Sequence, residues 1–272
     1  MTGGFIWYEL MTPDADAASA FYGAVIGWTV EGGGGRDGNG GGGKDVAGPV
    51  DYRHILRSDG GSAGGMLALS ADMVAHGAKP AWVPYLHVVD LDASLAAVTA
   101  EGGKVLMPAT ELPVGRFAMM ADPQGVPIYL MTPVPPPGQE DAKSDVFSPA
   151  AEQRVGWNEL ASPDLEASKA FYARHFGFQF NEKMPMGEMG DYCFIDHDGQ
   201  RLGAMLPLFE PGRAALWRLY FRVPSVTAAR AAIEAGGGTV MHGPHQVPGD
   251  DWIVIAADPQ GAEFGIVGAL GA

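Results

Sequence analysis

The sequence predicts an α+β fold of two tandem domains, each made of two βαβββ units, and three observations lead there. The chain repeats itself: WYELMTPDADAASAFYGAVIGW from Trp7 returns as WNELASPDLEASKAFYARHFGF from Trp157, with ten of twenty-two positions identical. YLHVVDLDASLAAVTAEGGKV from Tyr85 returns as YFRVPSVTAARAAIEAGGGTV from Tyr220, and ADPQG occurs at Ala121 and at Ala257. Such internal similarity marks duplicated structural units. Composition agrees, because 47% hydrophobic residues suffice for two cores while 40 glycines and 21 prolines supply the tight turns of a sheet-rich fold.

The elements follow in chain order. FIWYELM from Phe5 reads as a strand, and Asp14 after Pro13 caps a helix whose Ala17, Phe21, Ala24 and Val25 form one apolar face, closed by Gly27. Short strands come next, interrupted by the glycine tract from Gly32 to Gly43, which reads as a mobile hairpin excursion. VPYLHVV is a further strand, leading to a helix from about Asp92 with Leu95, Val98 and Thr99 inward and a stop at Gly102. VLM, RFAMMA and PIYLM are three more strands, and Gly125 and Gly261 of the two ADPQG segments serve hairpin turns. The same order recurs in the second half. PVPPPGQEDAKSDVFSPAAEQ is proline-rich, then polar, and reads as a linker, so the domains are set at 1–133 and 154–272 with 134–153 between them.

A net charge of −15 repels phosphate backbones and anionic headgroups, so neither nucleic acid nor a membrane is expected as a partner. The opening MTGGFIWYEL has no basic start, and no uncharged apolar run approaches the roughly 18 residues of a membrane span, so a soluble, cytoplasmic chain is expected. The single cysteine, Cys193, reads as a buried small apolar residue beside Phe194 and Ile195.

Several motif matches fail on context. GNGGGG from Gly38 fits a dinucleotide-binding pattern and GNGGGGKD approaches a phosphate loop, yet no helix opens after Lys44, and Asp45 stands where a hydroxyl would hold magnesium. GGSAG at Gly60 is followed by a strand where a nucleophile elbow needs a helix. His242 and His245 in a Gly/Pro stretch, and His197 between two aspartates, read as solvated loop histidines.

A strand ending in a capped helix that contains AFY and closes on GW or GF, with a DPxG turn before the last strand, resembles the vicinal oxygen chelate superfamily. That group includes glyoxalases, extradiol dioxygenases and bleomycin-resistance proteins, and the tandem arrangement looks most like its glyoxalase-like or hydroxylase-like branch. The resemblance implies that each pair of units curves its mixed sheet around a cleft. In metal-using members a divalent ion is gripped by His, Gln and Glu from the first and last strands. Carried onto this chain, the first-ligand position is Trp7 or Trp157, the closing position is Tyr129 or Gly265, and the second strand offers Pro84 or Tyr85 and Leu219 or Tyr220. Indole and aliphatic side chains give no lone pair to a hard cation, and a neutral phenol gives one poorly, so no metal is expected.

Side chains alternate along a strand, so Glu9 shares a face with Trp7 and Glu159 with Trp157, while His87 shares one with Tyr85 and Arg222 one with Tyr220. Two accounts stay open. Glu9 with His87 and Glu159 with Arg222 form internal ion pairs, or the two glutamates anchor a ligand between walls of Trp7, Tyr85 and Tyr129, or of Trp157, Tyr220 and Trp252, with Glu263 adding a second carboxylate. Three functions follow: a metal-free binding protein for a small organic molecule, as in bleomycin-resistance proteins; a lyase or ring-cleavage enzyme with a divalent metal on shifted ligands such as Glu9, His87, Glu159 or Glu263; or metal-free acid–base catalysis by Glu9 with His87. Each chain holds the four units that relatives often assemble from two subunits, so a monomer is expected.

Overall fold

A computed structural model describes residues 2–32, 50–135, 137–138, 142–209 and 212–271. Four βαβββ modules follow one another. The first comprises β1 (Phe5–Thr12), α1 (Ala15–Ile26), β2 (Thr29–Glu31), β3 (Tyr52–Leu56) and β4 (Ser62–Ala68), and a short helix α2 (Ala71–Ala75) leads out of it. The second comprises β5 (Ala81–His87), α3 (Leu91–Ala100), β6 (Lys104–Leu112), β7 (Gly115–Ala121) and β8 (Pro127–Pro133). The third is β9 (Val155–Ser162), α4 (Leu165–Phe176), β10 (Lys183–Pro185), β11 (Asp191–His197) and β12 (Gln200–Pro207). The fourth is β13 (Leu216–Arg222), α5 (Val226–Ala235), β14 (Thr239–Gln246), β15 (Trp252–Ala257) and β16 (Glu263–Gly268). The strands form two eight-stranded sheets, ordered β2-β3-β4-β1-β5-β8-β7-β6 and β10-β11-β12-β9-β13-β16-β15-β14. The fold is thus α+β with tandem mixed sheets, as the repeats require. Among the described residues no helix is long and apolar enough to cross a membrane.

Helix starts follow the expected chemistry, with corrections in detail. Asp14, Asp90, Asp164 and Ser225 each accept the N–H three residues on, satisfying a donor that the first helical turn leaves open. α3 therefore begins at Leu91, one residue before the expected start, because Asp90 is the cap. Its buried residues are Leu91 and Val98, whereas Thr99 is exposed. In α1 the buried face is Ala15, Ala18, Phe21, Tyr22, Val25 and Ile26, and Ala24 is exposed. The stripe is rotated from the expected one because Tyr22, polar at its tip, is drawn inward by a buried partner. His242 and His245 lie on strand β14, which pairs with β15 through two bulges beside Gly243 and Pro244, and they are exposed there. His197 is not solvated: it ends β11, is 9% exposed, and its Nδ1 lies 3.3 Å from the Gly177 carbonyl. Cys193 is buried, and burial pushes its thiol up, as suits an inert apolar filler. The glycine tract beyond Gly32 lies outside the described residues.

The chain forms two compact bodies. One contains Met1–Ile6, Val83–Ser144 and Trp157–Trp217, so it joins the second module to the third; the other contains Trp7–Trp82, Asp145–Gly156 and Arg218–Ala272, joining the first to the fourth. The same device holds each together. In the body of the second and third modules, Asp122 of the first ADPQG turn accepts the backbone N–H groups of Gln124 and Val126 at 2.8 and 2.9 Å, and also the Tyr172 hydroxyl at 3.1 Å. Trp217 in turn donates to Tyr172. In the body of the first and fourth modules, Asp258 accepts from Gln260, Ala262 and Tyr22, and Trp82 donates to Tyr22. Gly125 and Gly261 complete these turns at φ +88° and +96°, a region glycine enters without strain. The tyrosine of each AFY run is therefore a staple between two different modules.

Residues 145–156 belong to the body of the first and fourth modules. Arg57, 4% exposed, binds Asp59 and Asp145, and Arg154 binds the same two carboxylates. The Gln153 amide donates to the carbonyls of Ile26 and Gly27, closing the end of α1, while its oxygen accepts from Ser58.

Removing either staple hydroxyl leaves a buried indole donor and a buried carboxylate short of a partner. Tyr22→Phe and Tyr172→Phe are each expected to cost about 1–3 kcal/mol in urea unfolding. Burial raises Asp122 and Asp258 above the ordinary carboxylate value, against the pull of their hydrogen bonds. The folded chain then holds these protons more tightly than the unfolded chain. Their contribution is complete below the unfolded carboxylate value of about 3.9 and is lost as pH rises through the raised folded values. Asp258→Asn removes one such titration, so its unfolding free energy should decline less than that of the unmodified chain between about pH 4 and about pH 7.

Candidate functional site

β1 places Trp7 and Glu9 on one face, two residues apart, as alternation requires. Trp7 is half-buried and Glu9 is 2% exposed. A carboxylate so deep needs donors, and one comes from β3: the Tyr52 hydroxyl is bonded to Glu9 and accepts from Trp7 Nε1–H at 3.0 Å. Enclosure of the phenol tip, and then the Glu9 charge, pushes Tyr52 well above its ordinary value. Tyr52 therefore keeps its proton and acts as a donor. β4 lies between β3 and β1, and Gly65 stands opposite Glu9. A Cβ at Gly65 would overlap the Tyr52 hydroxyl and crowd Trp7 Nε1, so the phenol crosses the sheet over a glycine.

The third module repeats the arrangement. Trp157 Nε1–H donates to the Tyr192 hydroxyl at 2.7 Å, and that hydroxyl donates to Glu159 at 2.9 Å. Glu159 is 7% exposed, and Ala204 on β12, again a small residue, stands opposite it. The chain thus carries two Trp–Tyr–Glu relays, one in each body.

The second and fourth modules present different faces. Tyr85 and Tyr129 are register partners on β5 and β8, and their rings stack at 4.2 Å with planes 17° apart, Phe117 lying 6.1 and 6.0 Å from them. Tyr220 is the register partner of Gly265, and its ring lies where a Gly265 side chain would begin. On the same face of β13, Arg218 pairs with Glu263 at 3.3 Å and Arg222 is gripped by Asp251. Trp252 opens β15 opposite Gly268 and is half-buried. His87 ends β5, where its main chain bonds Gly3 and Gly4. Glu9 and His87 belong to different bodies, as do Glu159 and Arg222.

Neither relay has the donor set of a metal centre. The two indoles donate hydrogen bonds and have no lone pair to give, and the neutral phenols at the closing and second-strand positions are poor ligands for a hard cation. Among the described residues no group of three or more His, Cys, Asp or Glu side chains is arranged to hold a metal ion. What the relays offer is a fixed carboxylate beside the faces of an indole and a phenol.

Sequence reasoning found the tryptophans and glutamates but missed Tyr52 and Tyr192, which join them. The signal was present: DYRHI from Asp51 and DYCFI from Asp191 share Asp, Tyr and Ile. The spacing to the tryptophan is 45 residues in one copy and 35 in the other, and the glycine-rich insertion hides the match.

Residues 7–131 match the family model described as glyoxalase-like domain, and residues 154–266 match that of the glyoxalase/bleomycin resistance protein/dioxygenase superfamily. A putative glyoxylase, CFP32, of Mycobacterium tuberculosis is 34% identical over 135 residues, 49% of this chain and 46% of that protein, so the match spans about half of that relative's length. The anthracycline biosynthesis protein DauV of a Streptomyces species is 28% identical over 277 residues, covering 97% of this chain and 93% of that protein. The Mn(II)-bound glyoxalase of Novosphingobium aromaticivorans superposes with a TM-score of 0.61 at 18% identity, covering 99% of this chain and 84% of that one, a likeness of fold alone.

The two small residues under the phenols give a direct test. Gly65→Ala is expected to displace Tyr52, cost about 1–3 kcal/mol and change the near-ultraviolet circular dichroism of the first relay. Ala204→Gly should leave the second relay's spectrum in place and cost no more than about 1 kcal/mol.

Proposed function

The chain belongs to the glyoxalase/bleomycin resistance protein/dioxygenase superfamily through both of its halves, and from that premise we propose that it binds a small planar organic molecule without the divalent metal of its catalytic relatives. The observation that carries this is the duplicated Trp–Tyr–Glu relay, at the two addresses where the family resemblance puts the first metal ligand. Two features support it. The relay holds a carboxylate in one orientation, ready to accept from a ligand N–H or O–H or to face a cation. The indole and phenol offer π faces to a flat ring. The name of the Streptomyces relative, which refers to anthracyclines, a planar aromatic class, points the same way.

In this reading Glu9 and Glu159 anchor, Tyr52 and Tyr192 hold the anchors, and Trp7 and Trp157 orient the phenols. No bond of the ligand is broken and no proton leaves the relay.

Purified protein is dialysed, assayed for metal and titrated with phenylnaphthylamine, an uncharged fluorescent aromatic. Saturable binding with little retained metal is expected, and Glu9→Gln together with Glu159→Gln should weaken it about 10- to 100-fold, the scale of one charged hydrogen bond per site. Near-stoichiometric divalent metal that survives dialysis would overturn the proposal in favour of an enzyme on shifted ligands.

A further inference from the structure

The two relays share their three members but not the residue at their rim. On β3, His54 is the register partner of Gly65, and on β11, Phe194 is the register partner of Ala204. Their placement is nearly the same. The His54 ring lies 6.3 Å from Trp7 and 5.8 Å from Tyr52, edge-on at 71° and 84°. The Phe194 ring lies 6.1 Å from Trp157 and 5.7 Å from Tyr192, edge-on at 83° and 79°. His54 is exposed to solvent, whereas Phe194 is half-buried with the Arg201 guanidinium 4.4 Å above it. Arg201 is itself neutralised by Asp196 and Glu182. One relay is therefore edged by an open imidazole and the other by an apolar ring under a paired cation.

We propose that His54 is a specificity-determining residue of the first relay, favouring a planar aromatic acid there, while the Phe194 rim leaves the second relay to uncharged planar molecules. This rests on the relays being ligand anchors. The groups around His54 make the difference chemical. Glu31 on β2 is its cross-strand partner, Tyr52 on its own strand holds its proton, and Glu9 on β1 is reached through Tyr52. Gly65 on β4 adds no charge, and Arg53 is turned to Asp16 and Asp51. His54 is thus the one basic side chain on its face of β3, whereas Arg53 on the opposite face is paired with Asp16 and Asp51. It offers an acidic substituent a partner that the second relay does not have.

The test titrates the full chain with anilinonaphthalene sulfonate and with its uncharged parent phenylnaphthylamine between about pH 8 and about pH 5.5, the span in which imidazoles change charge. Sulfonate affinity is expected to rise about threefold relative to the parent as the pH falls, the scale of one added charge near a surface. His54→Phe and His54→Gln should both abolish the rise, and Phe194→His should add a second pH-dependent component. Circular dichroism of each variant confirms the fold. If both His54 variants keep the full rise while the parent still binds, the role of His54 is overturned and the ligand site stands. If neither probe binds the unmodified chain, the ligand-site proposal fails and this inference fails with it.

Discussion

A carboxylate buried beside a phenol decides how the four modules combine. Asp258 and Asp122 each gather two backbone N–H groups and a tyrosine hydroxyl from another module. Burying a carboxylate costs several kcal/mol unless such partners are supplied, and here the turn supplies two and the helix of a distant module supplies the third. The turn, the helix and the strand bearing Trp82 or Trp217 are consequently fixed together. Separating either pair of modules would take an indole N–H, a phenol and a carboxylate away from these partners.

The relays follow the same logic at a less enclosed place. Indole donates to phenol, and phenol to carboxylate, so each chain of hydrogen bonds ends on the only group that is a pure acceptor. The geometry requires the phenol to cross a neighbouring strand, and it does so over Gly65 or past Ala204. A larger residue at Gly65 would displace the phenol from the carboxylate. The small residue in the strand between is therefore as much part of the relay as its three polar members.

Much of this was legible in the sequence because repetition doubles every signal. The helix caps, the DPxG turns and the strand pairs of Trp with Glu each occur in both halves, and local chemistry is enough to place them. What resisted was non-local. Tyr22 and Tyr172 look like core aromatics of an amphipathic helix, and only the partner module shows that their hydroxyls have a destination. Tyr52 and Tyr192 sit at unequal distances from their tryptophans, so no fixed spacing reveals them. His197 sits between two aspartates, a context that suggests solvent, yet the fold turns it beneath the end of α4. In each case the missing term is a contact between residues far apart in sequence, which periodicity does not encode.

The contrast between a relay and a chelate bears on what such a site recognises. A chelate converges several lone pairs on one point and so selects a compact cation by radius and geometry. In the relay the donors run head to tail, indole to phenol to carboxylate, and on the proposed reading a ligand meets a carboxylate bordered by two aromatic rings. A flat molecule with one polar edge would engage carboxylate and rings at once. On the proposed reading the rim sets the charge preference at that edge: beside Phe194 lies a guanidinium already paired with Asp196 and Glu182, and beside Trp7 and Tyr52 lies the exposed imidazole of His54. On the proposed reading, two copies of one anchor that differ at the rim and in the small residue opposite the glutamate are two sites of different selectivity built on one frame.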